Sequence, residues 1–385
     1  MSDELELIRR RLAQLIAQPS VSCIDPALDM SNVAVVDTLS EWFAGAGFSV
    51  ARQVVGTAPA KANLIAQLGT GSGGLVLSGH TDTVPFDAGR WASDPFVLTE
   101  RDGRWYGLGS ADMKCFFPVV LAALEGFDVT RLRRPVTVLA TADEESSLAG
   151  ARCLTAADVA GARHALIGEP TALVPVRKHK GIVIGRIDVT GRSGHSSEPA
   201  RGANALDCMH DIISDLKAWR EAAAARHRDA DFKVPVPTLN LGRIRGGDSP
   251  NRICADCELL FDIRMMPGMS IADTVAELDE RVQARCAGAG VTGVVTLPMA
   301  PLPALDTPAD AALVVLLEAL SGHRAETVAF ATEGPFLNKL GCESVIFGPG
   351  DIGTAHQPDE HVEIEKVARM VAIVRELVVR LCCDD

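Results

Sequence analysis

The chain has 385 residues, 47% of them hydrophobic, and a formal net charge of -13 at pH 7. That length supports two packed cores rather than one, and the acidic balance leaves no basic stripe to neutralise phosphates, which excludes nucleic acid as a partner. No stretch approaches the roughly 18 unbroken apolar residues of a membrane span, so a membrane role is excluded too.

The N-terminus, Met1 to Arg10, mixes acids and bases on an amphipathic pattern without an apolar signal core, which reads as the first helix of a cytoplasmic protein. Up to about residue 178, strands alternate with helices. Leu75-Val76-Leu77 runs into Gly79-His80-Thr81-Asp82. A helix follows Asp112, carrying Phe116, Val119, Val120, Leu121 and Leu124. Val136-Thr137-Val138-Leu139 runs into Asp143-Glu144-Glu145, and a further helix is expected through Leu148 and Leu154. Ala165-Leu166-Ile167 runs into Gly168-Glu169-Pro170-Thr171. Such alternation predicts an α/β domain with a helix-covered, mostly parallel sheet.

The style changes after His179-Lys180-Gly181. A half-exposed strand at Ile182–Val189, a helix from about Asn204 to Trp219, strands near Thr238–Ile244 and Ile253–Met265, a helix near Ile271–Cys286 and a strand near Val294–Leu297 predict a compact α+β unit. The α/β pattern resumes after about residue 300. There Val345-Ile346-Phe347 runs into Gly348-Pro349-Gly350 and then Ala355-His356-Gln357-Pro358, and a last helix spans Glu363–Leu381. The expected organisation is therefore a catalytic domain of 1–178 and 300–385 interrupted by an inserted unit of 179–299. The ten scattered cysteines read as reduced and structural. Cys254 and Cys257, expected on one strand, would face opposite sides of it and share no metal.

In open α/β sheets ligands bind beyond the carboxyl ends of the strands. His80, Asp112, Glu145, Glu169 and His356 would all aim into that crevice. Two imidazoles and three carboxylates suit zinc, cobalt or manganese rather than calcium, which takes oxygen ligands. One carboxylate can bridge two ions about 3.5–4 Å apart. The expected arrangement has Asp112 as the bridge, His80 with Glu169 on one ion, and Glu145 with His356 on the other. Asp82 fits a supporting role, accepting the other N–H of His80. Glu144 is the candidate general base. His164, His210, His227 and His323 lack a strand-end context and read as ordinary; His361 is left out of the site.

These motifs resemble the co-catalytic di-zinc metallopeptidase family that includes acetylornithine deacetylase, succinyl-diaminopimelate desuccinylase and glutamate-releasing carboxypeptidases. The resemblance rests on Gly79 to Pro85, Gly107 to Lys114, Asp143-Glu144-Glu145, Gly168 to Thr171 and Ala355 to Glu360, in order along nearly the whole chain. It implies two zinc ions, with cobalt or manganese possible, and a homodimer formed through an inserted lid. His195 in Gly194-His195-Ser196-Ser197 looks like the lid histidine that reaches a neighbouring subunit's site. Asn251 and Arg264 look like the pair that grips the substrate carboxylate. Stretches such as Pro175 to Gly181, Ser193 to Gly202 and Thr332-Glu333-Gly334-Pro335-Phe336 lie nearest the acetylornithine deacetylases. The implied reaction is hydrolysis of N-acetyl-L-ornithine to L-ornithine and acetate, a step of arginine biosynthesis, with Glu333 offered to the ornithine ammonium. The alternative is a sibling acting on another small N-acyl amino acid, such as succinyl-diaminopimelate or N-acetylcitrulline.

Overall fold

In the computed structural model, which describes residues 2–383, the four apolar runs are neighbouring parallel strands. Their spatial order is Val136–Thr141, Leu75–His80, His164–Ile167 and Glu343–Ile346. Every residue of the first two is buried, as strands covered on both faces require. Among the strand ladders described, the parallel ones lie at this centre. Ala60–Leu68 and Ser49–Thr57 add an antiparallel hairpin on one side, and Val176–His179 joins the other edge antiparallel through Val176 opposite Ile346.

The connections place the site. After Leu75–His80 the chain crosses to Val136–Thr141 on one side, and after His164–Ile167 it goes on toward Glu343–Ile346 on the other. The diverging connections open a crevice beyond the ends of Leu75–His80 and His164–Ile167, the switch point where open sheets hold ligands. The helix after Asp112 spans Phe116–Leu124 and is wholly buried. It shares the larger core with helices Asp3–Ile16 and Ile364–Val378. The helix expected after Glu145 is only Ala149–Cys153. Asp143 and Leu148 both hold left-handed backbone, so the segment between them is a turn and the helix starts late.

The chain divides into two compact units, one running to Arg177 and resuming over Thr307–Glu326 and from Thr332 onward, the other comprising Lys178–Asp306 with Thr327–Ala331. The return lies somewhat beyond residue 300, because Leu302 pairs with Ile182 and still belongs to the second unit. That unit holds a four-stranded antiparallel sheet, ordered Thr238–Gly246, Asp256–Met265, Gly181–Thr190 and Thr292–Thr296. Burial alternates along its two central strands, and their inner residues share a core with helices Ala205–Arg226 and Ile271–Ala289. Gly185 is required there, since a Cβ would lie 2.1 Å from the ring of Phe261. The shared-strand picture of the cysteine pair is corrected: Cys257 lies on the strand, but Cys254 precedes it and its thiol donates to the carbonyl of Asp256 at 3.3 Å.

Candidate metal centre

At the ends of the central strands, close backbone approach is what brings the polar side chains together. Gly168 follows Ile167, and a Cβ on it would lie 2.3 Å from the ring of Phe116. Gly348 follows Phe347, where a Cβ would lie 2.2 Å from the carbonyl oxygen of Gly168. Only glycine lets these two strand ends meet the helix and each other. The turn that carries Glu144 and Glu145 begins at Asp143, whose left-handed backbone is anchored by its side chain. Asp143 Oδ1 accepts from Ser22 Oγ at 2.9 Å and lies 2.6 Å from Lys61 Nζ.

The five proposed ligands converge. Asp112 Oδ1 lies 2.9 Å from His80 Nε2, and Asp112 Oδ2 lies 3.3 Å from His356 Nε2. His356 Nε2 is also 2.9 Å from Glu145 Oε1, and His80 Nε2 is 3.9 Å from Glu169 Oε1. Each Asp112 oxygen thus faces a different imidazole, the geometry a bridging carboxylate needs. Glu144 presents a carboxylate oxygen that lies within 4.8 Å of ligand atoms of both His80 and Glu169. His80, Asp112 and Glu169 are buried, whereas His356 is about half exposed.

Asp82 needs correction as the acceptor for His80. His80 Nδ1–H donates to the backbone carbonyl of Asp82 at 3.0 Å, and the Asp82 carboxylate is 3.8 Å away. That donation still orients the ring so that Nε2 faces Asp112 and Glu169, and it fixes the tautomer that would offer the Nε2 lone pair to a metal. The Asp82 carboxylate accepts the backbone N–H of Glu145 at 3.1 Å, so it holds the 144–145 turn instead.

The electrostatics call for cations. Burial pushes Glu169 well above its ordinary range, and Asp112 adds to the effect. Burial does the same to Glu144, against the pull of His80, with Glu145, Asp82 and Asp112 adding. Glu145 is raised by burial and by Asp112. Asp112 goes the other way: despite its burial, hydrogen bonds from His356 and His80 hold it below the usual carboxylate range. Nearby lysines do not neutralise the cluster. Lys61 is taken by Asp29 and Asp143, and Lys114 donates to the carbonyls of Leu15 and Gln18, with burial lowering it to about 7. Buried carboxylates in this number, with two imidazoles and with Lys61 and Lys114 engaged elsewhere, fit a pair of borderline divalent ions.

Two further buried acids support the site, and reading the sequence assigned neither to this task. Glu360 accepts backbone N–H groups from Gly109 at 3.1 Å, Ala111 at 2.8 Å and Asp112 at 3.0 Å. It therefore clamps the loop that presents Asp112. The signal was the Pro358-Asp359-Glu360 run, which carries no strand-end pattern of its own. Glu333, expected beside the substrate, is buried. Its carboxylate accepts from Ser78 Oγ at 2.5 Å and from Thr141 Oγ1 at 2.7 Å. Both of its oxygens are thus committed to strand hydroxyls, two residues before His80 and three before Glu144.

His195, Asn251 and Arg264 all lie in the second unit. His195 and Asn251 come together, because the 195–197 segment pairs with the 251–252 segment: Ser196 N–H donates to the Asn251 carbonyl at 3.1 Å and His195 bridges to Arg252. Ser197 Oγ lies 2.7 Å from His195 Nδ1. Arg264 is elsewhere. It sits at the far end of strand Asp256–Met265, opposite Ile182, whereas Asp256, nearest the Asn251 loop, is opposite Thr190. Eight residues of strand separate the two ends by about 26 Å at ~3.3 Å per residue. The extended strand holds Asn251 and Arg264 of one chain apart. Arg264 pairs instead with Asp262 at 3.0 Å.

With the geometry in place, its relatives can be named. An acetylornithine deacetylase of Salmonella paratyphi B is 46% identical over 374 residues, covering 95% of this chain and 94% of that protein. Aminopeptidase PepT of Bacillus cereus superposes with a TM-score of 0.78 at 17% identity, covering 98% of each chain. A dinuclear metal-binding peptidase of the M20 family from Bacillus subtilis superposes with a TM-score of 0.67 at 15% identity, again covering 98% of each. The sequence profile of peptidase family M20/M25/M40 matches residues 76–380, from the strand that delivers His80 to beyond the turn that delivers His356. The chain is a hydrolase that belongs to peptidase family M20/M25/M40.

Proposed function

We propose that the chain hydrolyses N-acetyl-L-ornithine to L-ornithine and acetate, using two divalent cations, zinc foremost, with cobalt or manganese as substitutes. The observation that carries the metal part is Asp112, whose two oxygens each face a different imidazole. The substrate part rests on the 46% identity to acetylornithine deacetylases along 95% of the chain. His80 with Glu169 and Glu145 with His356 would hold one ion each, with Asp112 between them. When bound, such ions acidify water and polarise a carbonyl.

The chain's own groups then move the proton. Glu144, raised by burial among other acids, takes a proton from the attacking water and returns it to the departing α-amine. Asp82 keeps this carboxylate in place through the adjoining N–H of Glu145. His195, exposed and close to Asn251, is assigned to the oxyanion of a second copy's site, and Arg264 to the substrate carboxylate, which its planar fork matches. The separation of Asn251 from Arg264 along one strand favours a homodimer whose sites draw on both copies. No helix among the described residues is long and apolar enough to cross a membrane, and cysteines scattered along the chain suit a reducing cytoplasm.

The test is amine release by zinc-loaded protein from N-acetyl-L-ornithine, N-succinyl-diaminopimelate and N-acetyl-L-citrulline. Acetylornithine should be preferred by at least about tenfold in kcat/KM; a preference for either alternative would reassign the substrate. Glu144→Gln should abolish turnover and keep two equivalents of metal.

A further inference from the structure

With Glu333 committed to Ser78 and Thr141, another acid must meet a cationic side chain. A cavity of about 260 Å³ adjoins the candidate metal centre, lined by Leu28, Phe86, Asp87, Trp91, Leu108 and His356 among others. We propose that this cavity is the subsite for the substrate's side chain, that it takes an aliphatic stem ending in an ammonium, and that Asp87 is its specificity-determining residue. This assignment rests on the deacetylase reading.

The cavity shares His356 with the converging ligands. A substituent that an N-acyl amino acid sends past the imidazole, with its carbonyl at that centre, would enter this cavity. Most of the other lining residues are apolar, which suits methylenes. Phe86 is braced edge-on by Phe96, with ring centroids 5.0 Å apart, and Leu28 is 48% exposed, an apolar surface awaiting a partner. Asp87 is the one acid among the lining residues. Its carboxylate is not occupied locally: it precedes the short helix Ala88–Arg90 yet makes no capping bond. Its ion-pair partner Arg90 is 3.8 Å away, and both side chains are mostly exposed. Such a pair holds a carboxylate weakly, so an incoming primary ammonium can take it.

The test compares the wild type with Asp87→Asn, both zinc-loaded, on N-acetyl-L-ornithine and N-acetyl-L-norvaline, which has the same stem without the amine. The expected result is a KM for acetylornithine raised about tenfold, the scale of losing a hydrogen bond to a charged group, with the norvaline KM changed less than twofold. Equal changes on both substrates, or no change on either, overturn the assignment. Calorimetric binding of L-ornithine and L-norvaline separates this idea from the deacetylase reading. Loss of ornithine affinity alone in Asp87→Asn supports the subsite even if neither acetyl substrate is turned over, an outcome that would sink the deacetylase reading by itself. As a second variant, Leu28→Trp should narrow the cavity and raise the KM of acetylornithine and acetylnorvaline together, leaving N-acetyl-L-alanine within twofold. A uniform loss across all three would count against the cavity.

Discussion

Removing the Glu360 carboxylate should undo the metal centre from behind. In Glu360→Ala, the N–H groups of Gly109, Ala111 and Asp112 lose their acceptor inside the protein. Each orphaned buried donor costs ~1–3 kcal/mol, so even the low end gives about 3 kcal/mol for the three together. Glu360→Gln should fall between. Its amide oxygen can still serve Ala111 and Asp112, both held by Oε1, but its NH2 would face the N–H of Gly109, held by Oε2. A shortfall of about 1–2 kcal/mol follows from one lost bond. Urea denaturation of metal-free protein reads the stability, and elemental analysis after reconstitution reads the metal. Because Glu360 touches the backbone of Asp112, the proposed bridge, Glu360→Ala should also lose metal stoichiometry, and Glu360→Gln should recover most of it. An Ala variant with an unchanged denaturation midpoint and two full equivalents of metal would falsify the clamp.

Glu333→Ala should lower metal affinity and kcat, with the KM values of acetylornithine and acetylnorvaline shifting alike; a selective rise in the acetylornithine KM would restore Glu333 to the substrate. His356 is raised to about 10 by hydrogen bonds to Asp112 and Glu145. In metal-free protein its contribution to stability is therefore full below about pH 6.5 and lost as pH rises toward 10. A metal must displace that proton, so zinc affinity should strengthen with pH, and binding at pH 7 should release protons; titration calorimetry in buffers of different ionisation enthalpy that finds no proton release would contradict this. Mixing His195→Ala with Glu144→Gln protein should restore up to about a quarter of wild-type activity if a mixed dimer carries one intact site and half the dimers are mixed. No recovery would argue against sites shared between copies.

Much of the centre was legible because strand-end residues are tied to apolar runs, and buried parallel strands can be recognised from composition alone. His80, Glu145, Glu169 and His356 each follow such a run, and Asp112 precedes the helix that follows the first. Side-chain destination was less legible. Glu333 was expected to face the ornithine ammonium, and nothing in its neighbours announces that the hydroxyl of Ser78, some 255 positions away, would donate to its carboxylate. Asp82 lies two residues from His80, a spacing that does not separate its carbonyl from its carboxylate. The separation of Asn251 from Arg264 within one chain was not legible for a related reason: residue types do not say how many strand residues lie between two ends. The hairpin Ser49–Leu68 went unseen because its inner strand is buried along most of its length and shows no alternation.

The second unit interrupts the chain between Glu169 and His356. During synthesis, four of the proposed ligands emerge before the insertion and the fifth only after it. At ~5–20 residues per second, the nascent protein spends roughly 10–40 s with an open-sided cage, so tight cation uptake should be one of the last events of its birth. Ribosome-stalled chains ending before Ala355 should hold zinc far more weakly than those extending past it.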